Sequence, residues 1–481
     1  MNFWIILAFI TYFIVLLSIG FLAHKRSRTE SDFVLGDRSV NFWLTALSAH
    51  ASDMSAWLFM SLPAAVYMGG LVQSWIALGL IFGMFLNWQF ISKRLRTYTE
   101  KSDSYTLSSF FESRFQDHSG VLRVLTALMT LLFLTCYLSA GLIAMGYLFQ
   151  SLFGINFFIG ITFASAVVIA YTLFGGFVTI AWVDFFQALF LLAVILFVPL
   201  LALASIGGIS PIVESASENH LPLTLFPQDG SSAFFAAFFL AFGWGLGYPG
   251  QPHIITKFMG IKNPEELTKS KYLGMTWQIL ALGASVAIGL IGIAFFPEGL
   301  ENNELVFVEI VRWLFHPYVY GIVLCALIAA NLSTMDSQIL VCASVVTEDL
   351  YKPWAHKANL KPSLLSVSRL SVLLVTTLSL FIASSQNQSV MSAVFFAWSG
   401  LGCTFAPLIV MSLYSTKVTR YGAYAGIVVG GSIPFVWPRI NASLWDISIP
   451  ALIPGFILGC FAIYLFSFIS RKWQATPQRE T

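Results

Sequence analysis

The stretch ALSAHASDMSAW, residues 46–57, places one carboxylate, Asp53, inside an apolar run from Phe42 to Leu62. That run is long enough to cross a bilayer, where a carboxylate costs roughly 2.5–3.5 kcal/mol on insertion scales. Small residues and hydroxyls flank Asp53, and irregular backbone at membrane depth is tolerated only inside the protein or along a cavity. The stretch therefore predicts an interrupted helix with an ion or substrate site. The alternative is a structural aspartate that bonds to a neighbouring helix.

The composition is that of an integral membrane protein. The chain has 481 residues, of which 57% are hydrophobic and 10% charged, and its mean hydropathy is +0.80. Soluble domains carry about 25% charged residues. The net charge of +2 does not indicate a nucleic-acid partner. The five cysteines lie in apolar segments at unrelated spacings, which predicts neither a disulfide framework nor a metal site of the CxxC type.

Apolar segments divide the chain into thirteen predicted transmembrane helices, so we expect an all-α fold. The approximate bounds are 3–23, 42–62, 69–91, 124–149, 155–174, 185–206, a seventh that begins near 234, 273–296, 319–346, 370–385, 390–413, 422–436 and 449–469. Residues 107–111 are predicted to form an interfacial helix, and Asp184 is predicted to lie at the join between the fifth and sixth helices.

The distribution of Lys and Arg supports this count independently. The basic cluster at residues 24–28 follows the first apolar segment, so this segment is not a cleavable signal peptide and the N-terminus is predicted outside. With thirteen spans, all of the 25 Lys and Arg residues except Arg312 and Arg439 fall on the cytoplasmic side. Twelve or fourteen spans would remove this bias. The C-terminus is therefore predicted to be cytoplasmic.

The predicted seventh helix is interrupted as well. Residues 243–252 read GWGLGYPGQP, and this density of glycine and proline is incompatible with a regular helix. Two interrupted helices in corresponding halves are typical of secondary transporters. We therefore predict two inverted five-helix repeats, about 42–206 and 232–413. The peripheral helices are then about 3–23, 422–436 and 449–469.

The predicted ninth helix offers oxygen ligands for a cation. Ala330, Ser333 and Thr334 stand at i, i+3 and i+4 and so share one helix face. Together with carbonyls freed around Ala51 and Met54, they predict an all-oxygen cage of the kind that hard cations prefer and that transporters use for sodium. The alternative is that the two hydroxyls only bond to carbonyls of their own helix.

Aromatic residues accompany the second interruption. Trp244, Tyr248 and Pro252 stand at i, i+4 and i+8 and are predicted to line one face of a cavity. The alternative is ordinary packing, which is the usual role of an aromatic stripe. Because these residues coincide with the break, we favour the cavity.

Four motifs carry a resemblance to a known family. ASDMS at 51–55, GWGLGY at 243–248, GQPH at 250–253 and TEDLY at 347–351 resemble the bacterial sodium/proline symporters of the solute:sodium symporter family, in order along nearly the whole chain. The resemblance implies thirteen helices with a LeuT-like core of inverted repeats. It also implies coupled import of Na⁺ and L-proline by alternating access across a bacterial plasma (inner) membrane.

The resemblance also implies roles for individual residues. Sodium would be bound by the carbonyls and hydroxyls of Ala51, Met54, Ala330, Ser333 and Thr334. Asp53 would support this ion site closely. L-Proline would be surrounded by Ser55, Tyr137, Trp244, Tyr248 and Pro252.

Three positions depart from the family pattern. Ala56 stands in place of glycine, His50 in place of a small residue and Pro249 in place of an aromatic residue. The first of these touches the expected substrate pocket, so another small amino acid or a monocarboxylate is the alternative substrate. A second membrane-embedded acid, Asp336, is either a proton-sensitive site or an acid hydrogen-bonded at the inner mouth.

Two other classes of function have weaker support. A sensor of similar fold would need a signalling domain, and only about a dozen residues follow Ile469. A membrane enzyme would need clustered catalytic residues, whereas the seven histidines are scattered and no GxSxG or HExxH motif occurs. We therefore expect a transporter rather than an enzyme, with membrane lipid around it and no obligate protein partner.

Overall fold

A computed structural model describes residues 3–24, 35–172, 176–226, 230–358, 364–385, 389–444 and 448–475. Within these ranges the regular secondary structure is helical, apart from one backbone bridge between Val40 and Ile261. The basic cluster at 25–28 and the predicted end of the fifth helix at 173–174 lie outside the described residues.

We number the α-helices in chain order. They are α1 (Phe3–His24), α2 (Phe42–Asp53), α3 (Ser61–Gly69), α4 (Trp75–Leu86), α5 (Lys93–Lys101), α6 (Leu107–Arg114), α7 (Val121–Phe153), α8 (Phe157–Thr172), α9 (Phe177–Ser205), α10 (Ser210–Glu218), α11 (Ser231–Gly245), α12 (Pro252–Met259), α13 (Leu267–Phe295), α14 (Val306–Leu314), α15 (Pro317–Ser344), α16 (Lys352–Lys357), α17 (Leu364–Ala383), α18 (Val390–Tyr414), α19 (Arg420–Leu444) and α20 (Leu452–Ala475). Single π-helical segments at Asn87–Ser92 and Val345–Tyr351 make α4 continuous with α5 and α15 continuous with α16.

Nine helical segments within the described ranges are both long and apolar enough to cross a membrane. Three shorter apolar segments, Ala56–Gly69, Phe157–Ala170 and Phe234–Gly250, add to them. Two of these three belong to the predicted interrupted helices. An interruption divides a helix into pieces, and each of these two pieces is too short to cross a membrane alone.

The first interruption is present where the carboxylate predicts it. The Asn41 side chain accepts a hydrogen bond from the backbone N–H of Leu44 and caps the start of α2. The helix ends at Asp53, and Met54 leaves helical geometry with φ −89° and ψ 81°. Ser55 is extended, and one turn of 3₁₀-helix then leads into α3. The chain thus crosses the middle of this span without regular helical hydrogen bonds.

The second interruption separates α11 from α12. A 3₁₀ turn at Tyr248–Gly250 follows α11, and Gln251 is extended, with φ −95° and ψ 99°. Pro252 is the first residue of α12, where its missing N–H costs nothing. Both predicted breaks are therefore observed, at residues 54–60 and 246–251.

Small residues let the third span lie directly against α11. A Cβ atom added at Gly79 would lie 2.1 Å from the carbonyl oxygen of Ala241, and one added at Gly83 would lie 2.2 Å from that of Gly245. Small residues four apart on each of two helices are a recurring means of close packing in membranes. The glycine-rich region before the second break is therefore held backbone to backbone against α4.

Some predicted helix boundaries are wrong. The sixth span begins at Phe177 rather than near 185, so Asp184 lies inside α9 and is fully buried, not at a helix join. The helix continues through Asp184 because partners on other helices compensate its charge. The predicted twelfth helix extends to Leu444 rather than ending near 436, since α19 accommodates Pro434 and Pro438. Prolines are tolerated in membrane helices when neighbouring groups satisfy the freed backbone.

Candidate functional site

The ninth span meets the first interruption at the two predicted hydroxyls. Ser333 Oγ lies 2.9 Å from the carbonyl oxygen of Ala51 and 2.9 Å from that of Ala330, and its one proton can be donated to either. Thr334 Oγ1 lies 3.4 Å from the Ala51 oxygen and 3.2 Å from the Ala330 oxygen. The hydroxyls therefore bond to their own helix and also reach the interrupted one. The structure brings four of the five predicted ion ligands into mutual contact.

The Ala51 carbonyl is available because α2 ends just after it. The N–H of Ser55 bonds to the Asp53 carbonyl at 3.2 Å instead of continuing the helical pattern back to Ala51. Met54, the fifth predicted ligand, lies in the same gap and is completely buried. The result is a buried set of uncharged oxygens, which suits a hard monovalent cation.

Asp53 connects this set of oxygens to the second interruption. The carboxylate is fully buried, and its Oδ2 accepts a 2.7 Å hydrogen bond from the Tyr248 hydroxyl. That hydroxyl in turn accepts a hydrogen bond from Gln278 Nε2 at 3.0 Å. Oδ1 has no hydrogen-bond partner among the described residues. The site thus holds a carboxyl group with one oxygen that no described residue engages.

The aromatic residues of the second interruption lie around one further tryptophan. The ring of Trp398, on α18, lies 6.1 Å from that of Trp244 and 5.0 Å from that of Tyr248. Trp398 Nε1 also donates to the Trp244 carbonyl at 2.9 Å. On its other side Trp244 stacks on Trp57 at 6.1 Å. The aromatic wall is therefore built from both interrupted helices and α18. The sequence analysis does not predict the contribution of Trp398.

Tyr137 and Ser55 lie beside Asp53. Tyr137 is buried on α7, with Ser55 and Asp53 as polar neighbours of its hydroxyl, and its ring meets that of His253 edge-on at 5.6 Å. Their position places hydroxyl groups next to the carboxylate and the aromatic wall. A small solute with both polar and apolar groups would find matching partners there.

Two cavities approach this region from opposite sides. One, of about 1000 Å³, is lined by loop residues such as His220 and Ser448 and reaches Trp244. The other, of about 20 Å³, is lined by Pro252 and Lys257 among others. Pro252 therefore lies apart from Trp244, and the helical spacing that predicts one common face does not hold across the break. The ion and aromatic groups lie between a wide cavity and a nearly closed one.

A buried ion pair that the sequence analysis does not predict lies next to the first interruption. Lys257 Nζ, on α12, lies 3.1 Å from Oδ2 of Asp184, on α9, and both side chains are almost completely buried. The same oxygen accepts a hydrogen bond from Ser48 at 2.6 Å and is 3.4 Å from Ser52 Oγ. Ser52 also bonds to Ser337 at 2.9 Å. This network joins four helices next to the first interruption.

Asp336 belongs to the surroundings of this network. It is buried next to Ser337 on α15, and among the described residues neither of its carboxylate oxygens has a hydrogen-bond partner.

The sequence contains a signal for the network, because Asp184 and Lys257 are charged residues with apolar neighbours in the chain. Their pairing depends on tertiary packing, which neighbouring residues in the chain do not reveal.

Of the three departures from the family pattern, His50 has a clear structural setting. Its Nε2 accepts a hydrogen bond from Trp88 Nε1 at 3.2 Å, and a Cβ atom added at Gly274 would lie 2.3 Å from Nε2. A glycine on α13 therefore makes room for this imidazole. Ala56 is buried at the start of the 3₁₀ turn, and Pro249 is half-buried on the side facing α4.

Comparisons with known proteins agree on one family. The model described as the sodium:solute symporter family matches residues 33–430. The sodium/proline symporter of Salmonella typhimurium is 36% identical over 481 residues, with 98% of this chain and 94% of that protein covered. The high-affinity proline transporter PutP of Bacillus subtilis is 38% identical over 471 residues, with 97% and 98% covered.

A solved structure shares the fold. A Na⁺-coupled sialic acid symporter, in a substrate-bound outward-open state, superposes with a TM-score of 0.81 at 17% sequence identity. The match covers 97% of this chain and 98% of that one. The two chains therefore share one fold over nearly their whole length.

Proposed function

The chain is a member of the sodium:solute symporter family, a family of membrane transporters, and from that premise we propose that it imports L-proline together with Na⁺ by alternating access. The observation that carries the proposal is the 2.7 Å hydrogen bond from Tyr248 to Asp53. It joins the oxygens suited to a cation with the aromatic wall suited to a small solute. Binding at either place then influences the other through one contact.

The proposed ion site consists of five oxygens with Asp53 behind them. The ligands are the carbonyls of Ala51, Met54 and Ala330 and the hydroxyls of Ser333 and Thr334. The contacts of both hydroxyls with the Ala51 oxygen support this assignment. A sodium ion between them would replace these hydroxyl–carbonyl contacts with shorter bonds to the metal.

The proposed proline site lies on the other side of Asp53. Proline has a carboxylate, a secondary ammonium and a rigid apolar ring. Trp244 and Tyr248 would contact the ring, and aromatic faces also attract the ammonium. Ser55 and Tyr137 would offer hydroxyls, while free N–H groups at the interrupted helices would bind the carboxylate. Pro252, the fifth residue that the resemblance implies, lines the small cavity on the inner side instead, apart from Trp244.

The proposed membrane arrangement has thirteen spans, with the N-terminus outside and the C-terminus cytoplasmic. Residues 42–206 and 232–413 would form the inverted repeats. The positions of the two breaks, in the first helix of each repeat, support this division. The wide cavity at Trp244 then faces outward and the small one at Pro252 faces inward, as an alternating-access cycle requires.

The driving force is sufficient for accumulation. A tenfold sodium gradient supplies about 1.4 kcal/mol, and a membrane potential of about 100 mV adds roughly 2.3 kcal/mol for each charge carried. One Na⁺ per solute would therefore support an accumulation of several hundredfold.

Uptake by the purified protein in proteoliposomes tests the proposed function. The panel is labelled proline, alanine, glycine and lactate, each assayed with an inward sodium gradient and with a proton gradient of equal size. We expect proline uptake that requires sodium and increases when the interior is negative. Equal uptake with the proton gradient alone would contradict the coupling ion, and faster sodium-driven uptake of another solute would contradict the substrate.

Loss of a hydroxyl ligand should weaken sodium binding selectively. For Ser333→Ala and Thr334→Ala we expect the sodium concentration for half-maximal uptake to rise about tenfold, as loss of one interaction with a charged group worth roughly 1.5 kcal/mol predicts. The matched control is Ser379→Ala, which removes a buried hydroxyl that also bonds to a carbonyl of another helix. An unchanged sodium requirement in Thr334→Ala would place the ion elsewhere.

Loss of the aromatic wall should weaken proline binding selectively. For Trp244→Ala we expect the half-saturating proline concentration at saturating sodium to rise by roughly 5- to 150-fold, since a well-packed side chain contributes about 1–3 kcal/mol. The half-saturating sodium concentration of the same variant should change much less, by under about twofold. Trp473→Ala, which removes a tryptophan that is 80% exposed, is the control. Equal losses of both affinities would mean that Trp244 only stabilises the fold.

A further inference from the structure

An apolar groove lies on the far side of the second interruption from the aromatic wall. It has a volume of about 580 Å³ and lies between α4, α11, α18 and α20. Along the predicted third helix its lining extends from Trp75 to Ile91, a rise of about 24 Å at 1.5 Å per residue. One leaflet of the hydrocarbon core is about 15 Å thick. The groove is therefore deep enough to hold a lipid acyl chain.

Closely packed glycines contribute backbone to the wall of this groove. Gly83 and Gly245, which approach backbone to backbone, both line it. Pro249 contributes to the same wall. Its neighbour Tyr248 lies on the other side of the chain, where it bonds to Asp53. An occupant of the groove would therefore press on the backbone segment that carries Tyr248.

An arginine without a carboxylate partner lies at one end of the groove. The Arg94 guanidinium lies over the Tyr414 ring, 4.2 Å from its centre, and Tyr414 lines the groove. The Tyr414 hydroxyl donates to the Phe90 carbonyl at 2.8 Å, which fixes the ring in place. Arg94 thus has a defined position at the mouth of the groove.

Its basic neighbours are already neutralised. Lys93 pairs with Glu265 at 2.6 Å, and Arg96 pairs with Glu100 at 2.9 Å. Within the part of the chain that the structure describes, Arg94 has no such pair and its side chain is exposed. The guanidinium is therefore available to a phosphate at the membrane surface, a group it binds with several donors.

We infer that the groove binds one acyl chain of an anionic glycerophospholipid whose phosphate pairs with Arg94. The apolar lining accepts the chain, and the positive charge at its end selects the headgroup. Because the chain would pack against Gly245 and Pro249, its presence would limit the positions open to the second interruption. The bound lipid would thereby favour the arrangement in which Tyr248 reaches Asp53.

Two variants separate the contributions of the headgroup and the chain. Arg94→Gln removes the charge and leaves the groove open. Val410→Trp fills the groove from α18, away from the interruption. Their matched controls are Arg420→Gln, which removes another arginine that lies over a tyrosine, 5.0 Å from the Tyr421 ring, and Val428→Trp on the exposed face of α19.

Native mass spectrometry of the purified protein with added phosphatidylglycerol or phosphatidylcholine is the test. We expect the unaltered protein and both controls to retain one phosphatidylglycerol in preference to phosphatidylcholine. Arg94→Gln should lose this preference, and Val410→Trp should retain neither lipid. The inference is overturned if both variants bind phosphatidylglycerol like the unaltered protein, if Arg420→Gln loses as much as Arg94→Gln, or if free glycerol phosphate displaces the lipid completely.

A second readout connects the lipid to transport and rests on the proposed function. Sodium-driven proline uptake should be faster in vesicles that contain phosphatidylglycerol than in phosphatidylcholine alone, and Val410→Trp should abolish this difference. Absence of any proline uptake would count against the proposed function and leave the binding result intact. Equal stimulation by phosphatidylglycerol in Val410→Trp would overturn the link between the groove and transport.

Discussion

Replacing Asp53 with asparagine is expected to raise the sodium concentration for half-maximal proline uptake by about 30-fold to 1000-fold. A unit charge 4–8 Å from another contributes about 4 to 2 kcal/mol at an effective dielectric constant of 20. Asparagine has nearly the same shape and still accepts the Tyr248 hydrogen bond, so the change removes charge and little else. Uptake measured across a range of sodium concentrations gives the shift directly.

Asp103→Asn is the matched control, because it removes an exposed carboxylate on the surface. The amount of each variant in the membrane is measured by immunoblotting, so that loss of protein is not mistaken for loss of affinity. An Asp53→Asn protein with an unchanged sodium requirement would exclude this carboxylate from the ion site.

Replacing Lys257 with methionine is expected to destabilise the folded protein by about 3 kcal/mol. The change leaves the Asp184 carboxylate buried without its counter-charge, and breaking one side of a buried ion pair typically costs 3–5 kcal/mol. The hydroxyls of Ser48 and Ser52 still face Asp184, so we expect the lower end of this range. The fraction of detergent-solubilised protein that remains soluble after heating measures the loss.

The double variant Lys257→Met/Asp184→Asn should recover most of the lost stability, because no uncompensated charge remains. Lys93→Met is the control, since it breaks an exposed pair with Glu265 and should cost less than about 1 kcal/mol. If the double variant were as unstable as Lys257→Met alone, packing of the lysine stem rather than its charge would be responsible.

The two interruptions could be predicted from the sequence because their causes are local. A carboxylate among small residues at 46–57, and glycines with prolines at 243–252, each disfavour a regular helix without reference to the rest of the chain. The hydroxyl face of α15 follows from helical spacing alone. In the structure the hydroxyls of Ser333 and Thr334 lie beside the Ala51 carbonyl.

Partners that are distant in the chain could not be predicted in this way. Trp398 lies about 150 positions after Trp244, and the Lys257–Asp184 pair spans 73 positions. Their contacts depend on how whole helices pack. The start of α9 differs from the prediction for a related reason. A buried charge favours a helix end unless it has partners, and the partners of Asp184 lie on other helices. The turn at 248–251 likewise interrupts the helix, so the i, i+4, i+8 spacing no longer places Pro252 on the same face as Trp244.

Equilibrium binding to the purified protein tests most directly the claim that sodium and proline bind at one linked site. Labelled proline is titrated with and without saturating sodium, and sodium is titrated with and without proline, for the unaltered protein and for Tyr248→Phe. We predict that each ligand tightens binding of the other by the same factor, about 5- to 150-fold, since linkage is reciprocal. Tyr248→Phe, which removes the hydrogen bond to Asp53, should reduce that factor strongly. Proline binding of equal affinity with and without sodium would contradict the account.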